Sequence, residues 1–144
     1  MTERITCTRR LEFDAAHRVM KHEGKCRHLH GHRYAVEATF EGAKLDMLGR
    51  VVDFGIIKEK LGNWLDTNWD HNTILWEEDA ALADAIGGIT KQHTFLLPYN
   101  PTAENMARYL FSAVCPKLFE GQSIRCVRVR IYETPNCFAD CSDA

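Results

Sequence analysis

Three segments alternate apolar and polar residues with a period of two, and in each the second set carries charge. Residues 5–13 set Ile5, Cys7, Leu11 and Phe13 against Thr6, Thr8, Arg10 and Glu12. Residues 32–41 set Tyr34, Val36, Ala38 and Phe40 against Arg33, Glu37, Thr39 and Glu41. Residues 123–133 set Val127, Val129, Ile131 and Glu133 against Cys126, Arg128, Arg130 and Tyr132. Strands of this kind can bury only one face, which predicts antiparallel pairing with the other face toward water or a wet interface.

The rest of the chain supplies the layer that covers the apolar face. Asp53 is placed as the N-cap of a helix in which Phe54, Ile57, Leu61 and Leu65 recur at helical spacing, and Gly62 costs it about 1 kcal/mol relative to Ala. A second main helix follows Pro101, with Thr102 as its cap and Ala103, Ala107, Leu110, Val114 and Leu118 along one face. A short extra helix is expected over residues 77–86, ended by Gly87 and Gly88, and a last short strand over residues 137–141. The resulting order, ββααββ, predicts an α+β domain: an antiparallel four-stranded sheet with two main helices on one face.

At 144 residues, with no repeat or Pro/Ser-rich linker, the chain reads as one domain spanning 1–144. Its 45% hydrophobic and 26% charged residues exclude a disordered chain. The net charge of −2, from 18 basic and 20 acidic residues, lacks the basic footprint of a nucleic-acid partner. No apolar stretch follows the charged N-terminal residues and none approaches a membrane span, so the expected location is the cytoplasm, with no membrane partner. The six cysteines (Cys7, Cys26, Cys115, Cys126, Cys137, Cys141) are accordingly expected as reduced thiols.

Chemistry concentrates between positions 17 and 32, which hold His17, His22, His28, His30 and His32. His30 and His32 are two apart, so an extended backbone points both to one face. Gly31 between them suits a close backbone approach. An isolated His-x-His is equally what an exposed histidine patch shows; His17, just past the first strand, turns the pair into a potential triad if the two strands pair. Three imidazoles with an open fourth position match a catalytic zinc site. His28 is placed in the loop, and His22 and His93 on the surface without a role. Cys137-x3-Cys141 offers half of a different, thiolate site, on weak spacing.

Three further groups have acid–base potential. Cys26, among polar neighbours including Lys25 and Arg27, reads as a base or nucleophile rather than core filling. In Asp70-His71 the carboxylate can fix the imidazole tautomer and raise its basicity. Glu133 ends an apolar strand face and is either solvated there or poised for a ligand with paired N–H donors.

Six segments in order resemble the 6-pyruvoyl-tetrahydropterin synthase and 6-carboxytetrahydropterin synthase family of the tunnelling, or T-fold, type. They are Phe13-Asp-Ala-Ala-His17-Arg, Cys26-x3-His30-Gly31-His32-x-Tyr34, Val52-Asp53-Phe54, Asp70-His71, Pro101-Thr102-Ala-Glu104-Asn105 and Tyr132-Glu133-Thr134. The resemblance implies Zn2+ on His17, His30 and His32, a proton-abstracting Cys26 assisted by Asp70 and His71, and Glu133 anchoring the pterin edge. Thr102 falls in a segment lining that pocket. It also implies a pterin triphosphate substrate, 7,8-dihydroneopterin triphosphate, and a homo-oligomer, a hexamer, in which sheets join into barrels with active sites between subunits.

The spacing from Cys26 to His30 is shorter than in the animal pyruvoyl-forming members and looks like the bacterial queuosine-pathway type. That type is a lyase releasing acetaldehyde and triphosphate to give 6-carboxy-5,6,7,8-tetrahydropterin; the alternative product is the pyruvoyl compound. The sequence departs from the family pattern in Trp69 before Asp70 and in an insertion near residues 76–97. A zinc-containing pterin-binding protein without turnover is a further reading, which the intact Cys26, Asp70 and His71 disfavour. A metal-free domain using its histidines structurally is another.

Overall fold

The computed structural model describes residues 3–144. The first alternating segment forms β1 (Cys7–His17) and the second β2 (His30–Gly42). They pair antiparallel from Cys7 opposite Phe40 to His17 opposite His30. The strand extends past Phe13, where the predicted one stopped, because Ala15 and Ala16 continue the alternation with too little apolar signal to be read. His17 is therefore the last residue of β1 rather than a neighbour just beyond it.

Helix α1 covers residues 54–68 with a widened, π-type stretch over Lys58–Gly62. Its cap is Asp53, whose Oδ1 accepts from the Gly55 amide at 2.8 Å. Ile57, Leu61 and Leu65 are buried as the spacing requires, whereas Phe54 lies half exposed at the helix start. Helix α3, over residues 103–118, buries Ala103, Met106, Ala107, Leu110 and Val114 against the same sheet face. It widens over Leu110–Val114 just ahead of Pro116, whose missing N–H and ring bulk oppose regular helical bonding.

The four-stranded antiparallel sheet expected from the sequence is instead six-stranded and mixed. After α1 come β3 (Asn72–Trp76), α2 (Ala80–Thr90) and β4 (Phe95–Leu97); after α3 come β5 (Ile124–Thr134) and β6 (Cys137–Ser142). The order across the sheet is β4-β3-β1-β2-β5-β6, with β3 parallel to both β1 and β4. The two added strands are short apolar runs, NTILW and FLL, with no two-residue alternation to reveal them. The expected insertion is thus a crossover that adds an edge strand. Its helix also runs through Gly87 and Gly88 and stops at Lys91, which takes the left-handed conformation at φ 66°.

One face of the sheet and the helices enclose Phe13, Tyr34, Val36, Phe40, Trp69, Ile74, Leu97, Val129 and Ile131. In β5 the alternation breaks at a bulge opposite Thr39 and Phe40. Below it Ile124 and Cys126 turn to the helix side, so Cys126 sits with the core rather than with Arg128 and Arg130. The other face is polar and cross-paired: Arg10 with Glu37 at 3.1 Å, Arg130 with Asp140 at 2.7 Å, and Thr8 with Thr39 at 2.7 Å. No helix is long and apolar enough to cross a membrane among the described residues.

Candidate metal centre and acid–base groups

The core-facing parity of β1 and β2 continues to their paired ends, so His17, His30 and His32 emerge on the helix side of the sheet. His17 Nε2 lies 3.2 Å from His30 Nε2, and the three ring centroids are 4.7, 5.2 and 4.9 Å apart. Gly31 permits the pairing: a Cβ there would sit 3.2 Å from the Ala15 carbonyl oxygen. Glu133, brought by β5, places Oε1 3.0 Å from His32 Nε2 and 3.9 Å from His17 Nε2. Ligand atoms of all four residues fall within 4.8 Å of one another.

The outer nitrogens fix these rings. His17 Nδ1 donates to the Pro101 carbonyl at 2.7 Å, and His30 Nδ1 to the His28 carbonyl at 2.6 Å. Each bond sets the tautomer that leaves Nε2 as a lone-pair donor turned inward. His32 Nε2 is buried and makes no hydrogen bond, although Glu133 Oε1 stands 3.0 Å from it. A buried ring nitrogen without a partner is costly unless something else binds it. Tetrahedral N-donors about 2.0–2.1 Å from a zinc ion stand about 3.3 Å apart, close to the His17–His30 separation. The donor set therefore fits a divalent cation. Burial drives His17 down to about 4, against its bond to Pro101 and with the help of His30 and His32, so the ring is neutral as a ligand must be. Burial likewise lowers His32, opposed by the Glu133 carboxylate.

Tyr34, the next core-facing residue of β2, is fully buried with its hydroxyl unpartnered. Burial raises its pKa, and the charges of Glu133 and Cys26 push it further the same way, so both groups lie within electrostatic range of the phenol. Cys26 sits half-buried on the short turn Lys25–Arg27. The Arg27 guanidinium expected to favour its thiolate is turned back onto the Gly24 carbonyl at 3.1 Å.

Asp70 and His71 form the pair expected of them, Oδ2 to Nδ1 at 2.9 Å. His71 takes the left-handed conformation, φ 58°, held by its amide donating to the Asp14 carbonyl. Asp70 Oδ1 accepts from the Asp14 amide at 2.9 Å, and the Asp14 carboxylate pairs with Arg33 at 2.9 Å. The hydrogen bond that His71 donates to Asp70 raises the His71 pKa; burial opposes ionisation of Asp70, but the Asp14 amide and His71 outweigh it and hold that carboxyl low. This group clusters with Asp14, whose side chain alternates to the polar face, and is separate from the three histidines and Glu133. One protomer thus gathers the metal ligands on one face and the Asp–His pair on the other.

Nearly the whole chain matches known proteins. The model of the 6-pyruvoyl tetrahydropterin synthase family covers residues 6–144. The chain belongs to that family. Curated 6-carboxy-5,6,7,8-tetrahydropterin synthases of Rickettsia felis and Rickettsia bellii are 46% and 47% identical over 136 residues, 94% of this chain and 99% of theirs. The 6-pyruvoyl tetrahydropterin synthase structure from Caenorhabditis elegans aligns with TM-score 0.69 at 25% identity, covering 99% of this chain and 97% of that one. An uncharacterized protein from Wolinella succinogenes shares the fold at TM-score 0.79 and 20% identity, covering 99% and 100%.

In this 6-pyruvoyl tetrahydropterin synthase family member, the structure brings together the three histidines named from the sequence and adds what orients them. Thr102 acts here as a helix cap, accepting from the Asn105 amide at 3.1 Å, while its neighbour Pro101 holds His17. His28, which had no assigned role, orients His30 through its carbonyl. These are main-chain acceptors, and side-chain identity carries no signal for them. His93 is exposed as expected, whereas His22 is half-buried and accepts from the Gly24 amide at 2.8 Å.

Proposed function

We propose that this protein is a zinc-dependent lyase converting 7,8-dihydroneopterin triphosphate to 6-carboxy-5,6,7,8-tetrahydropterin, taking up one water and releasing acetaldehyde and triphosphate. The observation that carries the reading is the inward-facing His17–His30–His32 triad, whose ligand atoms and that of Glu133 lie within 4.8 Å of one another, in a chain nearly half identical to proteins named for that product. Zinc held by the three imidazoles would supply Lewis acidity toward the hydroxyl oxygens of the substrate's polyol arm.

The remaining chemistry belongs to the protein's own groups. Cys26 is assigned the role of base toward a C–H bond of that arm, and His71, kept basic by Asp70, that of proton shuttle. Glu133 is assigned to the pterin's amino and N3 hydrogens, which suit a carboxylate's two oxygens. Thr102 is placed at the pocket wall beside it. Asp70 and His71 cluster with Asp14 on the opposite sheet face from the histidines, which supports a homo-oligomer, a hexamer by family resemblance, in which a second copy completes the set. The cytoplasm is the proposed location, and a queuosine-type pathway the proposed use of the product.

Incubation of the purified protein with dihydroneopterin triphosphate, followed by mass identification of the pterin and an assay for acetaldehyde, tests this directly. A carboxy-pterin with acetaldehyde supports it. A pyruvoyl-pterin without acetaldehyde transfers the assignment to the alternative product, and no triphosphate release rejects turnover altogether.

A further inference from the structure

The loop between β1 and β2 carries Cys26, and it is tied down by residues of the 76–97 crossover and by Asn100 just past it. Arg18, directly after the ligand His17, forms a two-pronged pair with Asp79: Nε to Oδ2 at 2.6 Å and Nη2 to Oδ1 at 2.5 Å. Asp79 is only 3% exposed and caps no helix with its side chain. Its carboxylate has no partner other than Arg18 among the hydrogen bonds and ion pairs of the described residues.

Two residues on, Met20 is held at both main-chain groups by the Asn100 amide side chain, each bond 3.0 Å. Lys21, left-handed at φ 67°, lies 5.6 Å over the Trp76 ring. Between these anchors stands Val19, whose amide donates to the Cys26 carbonyl at 2.9 Å. The backbone of Cys26 is therefore fastened to a residue whose two neighbours are both clamped, Arg18 by the crossover and Met20 by Asn100 just past it. A buried carboxylate is costly unless paired, and here its one pairing fixes the start of the thiol-bearing loop.

We propose that Asp79, acting through Arg18, is a positioning residue that holds the Cys26 thiol in its working place, and that this is the task of the 76–97 crossover. The inference rests on the assignment of Cys26 as the base. A misplacement of about 1 Å is enough to cost a reaction a large factor in rate, so releasing the clamp acts on turnover without touching a metal ligand.

The test uses the zinc-loaded full-length protein as wild type, Asp79→Asn, Arg18→Gln, the double variant and Cys26→Ala. Three quantities are read: triphosphate release, zinc per protomer, and iodoacetamide labelling of Cys26 against buried Cys115 by peptide mass spectrometry. Each single variant and the double are expected to lose about ten-fold in kcat with zinc unchanged. Cys26 labelling should rise several-fold while Cys115 stays protected. The double should be no worse than either single change, because the pair acts as one unit. Should a single variant fail to fold, the double, which buries no unpaired charge, carries the measurement. Wild-type kcat and Cys26 labelling in the double overturn the proposal, as does a parallel rise at Cys115, which signals general loosening. Wild-type turnover in Cys26→Ala instead removes the assignment of the base, and the labelling comparison still decides whether the clamp holds the loop.

Discussion

His17 and His30 meet Nε2 to Nε2 at 3.2 Å because they stand opposite each other at the closing end of the β1–β2 pair. Each ring is braced from behind by a main-chain carbonyl, which together with the strand pairing sets their mutual orientation. His32 brings its inner Nε2, which makes no hydrogen bond, to 3.0 Å from Glu133 Oε1.

Replacing His32 should therefore empty the site while sparing the fold. In His32→Ala, zinc by elemental analysis should fall from about one ion per protomer to a small fraction, with the far-UV circular dichroism spectrum retained. Full zinc occupancy in that variant would remove His32 from the ligand set.

Cys26→Ala should behave in the opposite way. No residue of its turn is fully buried, so zinc content and melting temperature should match the wild type, while triphosphate release should drop by about 100-fold or more. A rate near that of the wild type would mean that another group abstracts the proton.

The Asp70–His71 pair can be tested by titration. The Asp70 carboxylate stabilises the imidazolium, so Asp70→Asn should lower the His71 pKa, read from its ring proton shifts by NMR. His71 is raised in the folded protein, so its contribution to stability is present below the unfolded value of about 6.5 and disappears as pH rises through the folded pKa. The ring is exposed and screened, so only the titration midpoint is expected to move measurably. An unchanged midpoint in Asp70→Asn would break the link between the two residues.

Acid should destabilise the metal-free protein through His17. Its folded pKa of about 4 lies below the unfolded value of about 6.5, so the unfolded state binds more protons between those limits. Stability therefore falls as pH drops through that window, and the melting temperature should decline from pH 6.5 toward pH 4. Replacing His17 with Gln, which cannot take up the proton, should flatten that part of the profile; an equally steep decline in the variant would locate the acid sensitivity elsewhere.

Much of the site was legible because strand parity and helix capping are local. His30 and His32 share a face for the same reason that Tyr34 and Val36 do, and Asp53 and Thr102 cap the helices predicted for them. Parity failed at Cys126, where a bulge turns the strand by one residue, and nothing within β5 announces it. The short strands β3 and β4 were missed because their apolar runs have no alternation.

By itself, the sequence determined the α+β class, the helix faces and which histidines stand as candidate donors, all of which follow from short-range periodicity and residue chemistry. The tertiary structure decided how many strands the sheet has, that β3 runs parallel beside β1, and that Asp70 and His71 face away from the histidines. It also decided which carbonyls orient the rings and that Asp79 clamps Arg18. Those outcomes depend on which distant segments pair and in what register, and that choice is settled by packing across the whole core rather than by any local pattern.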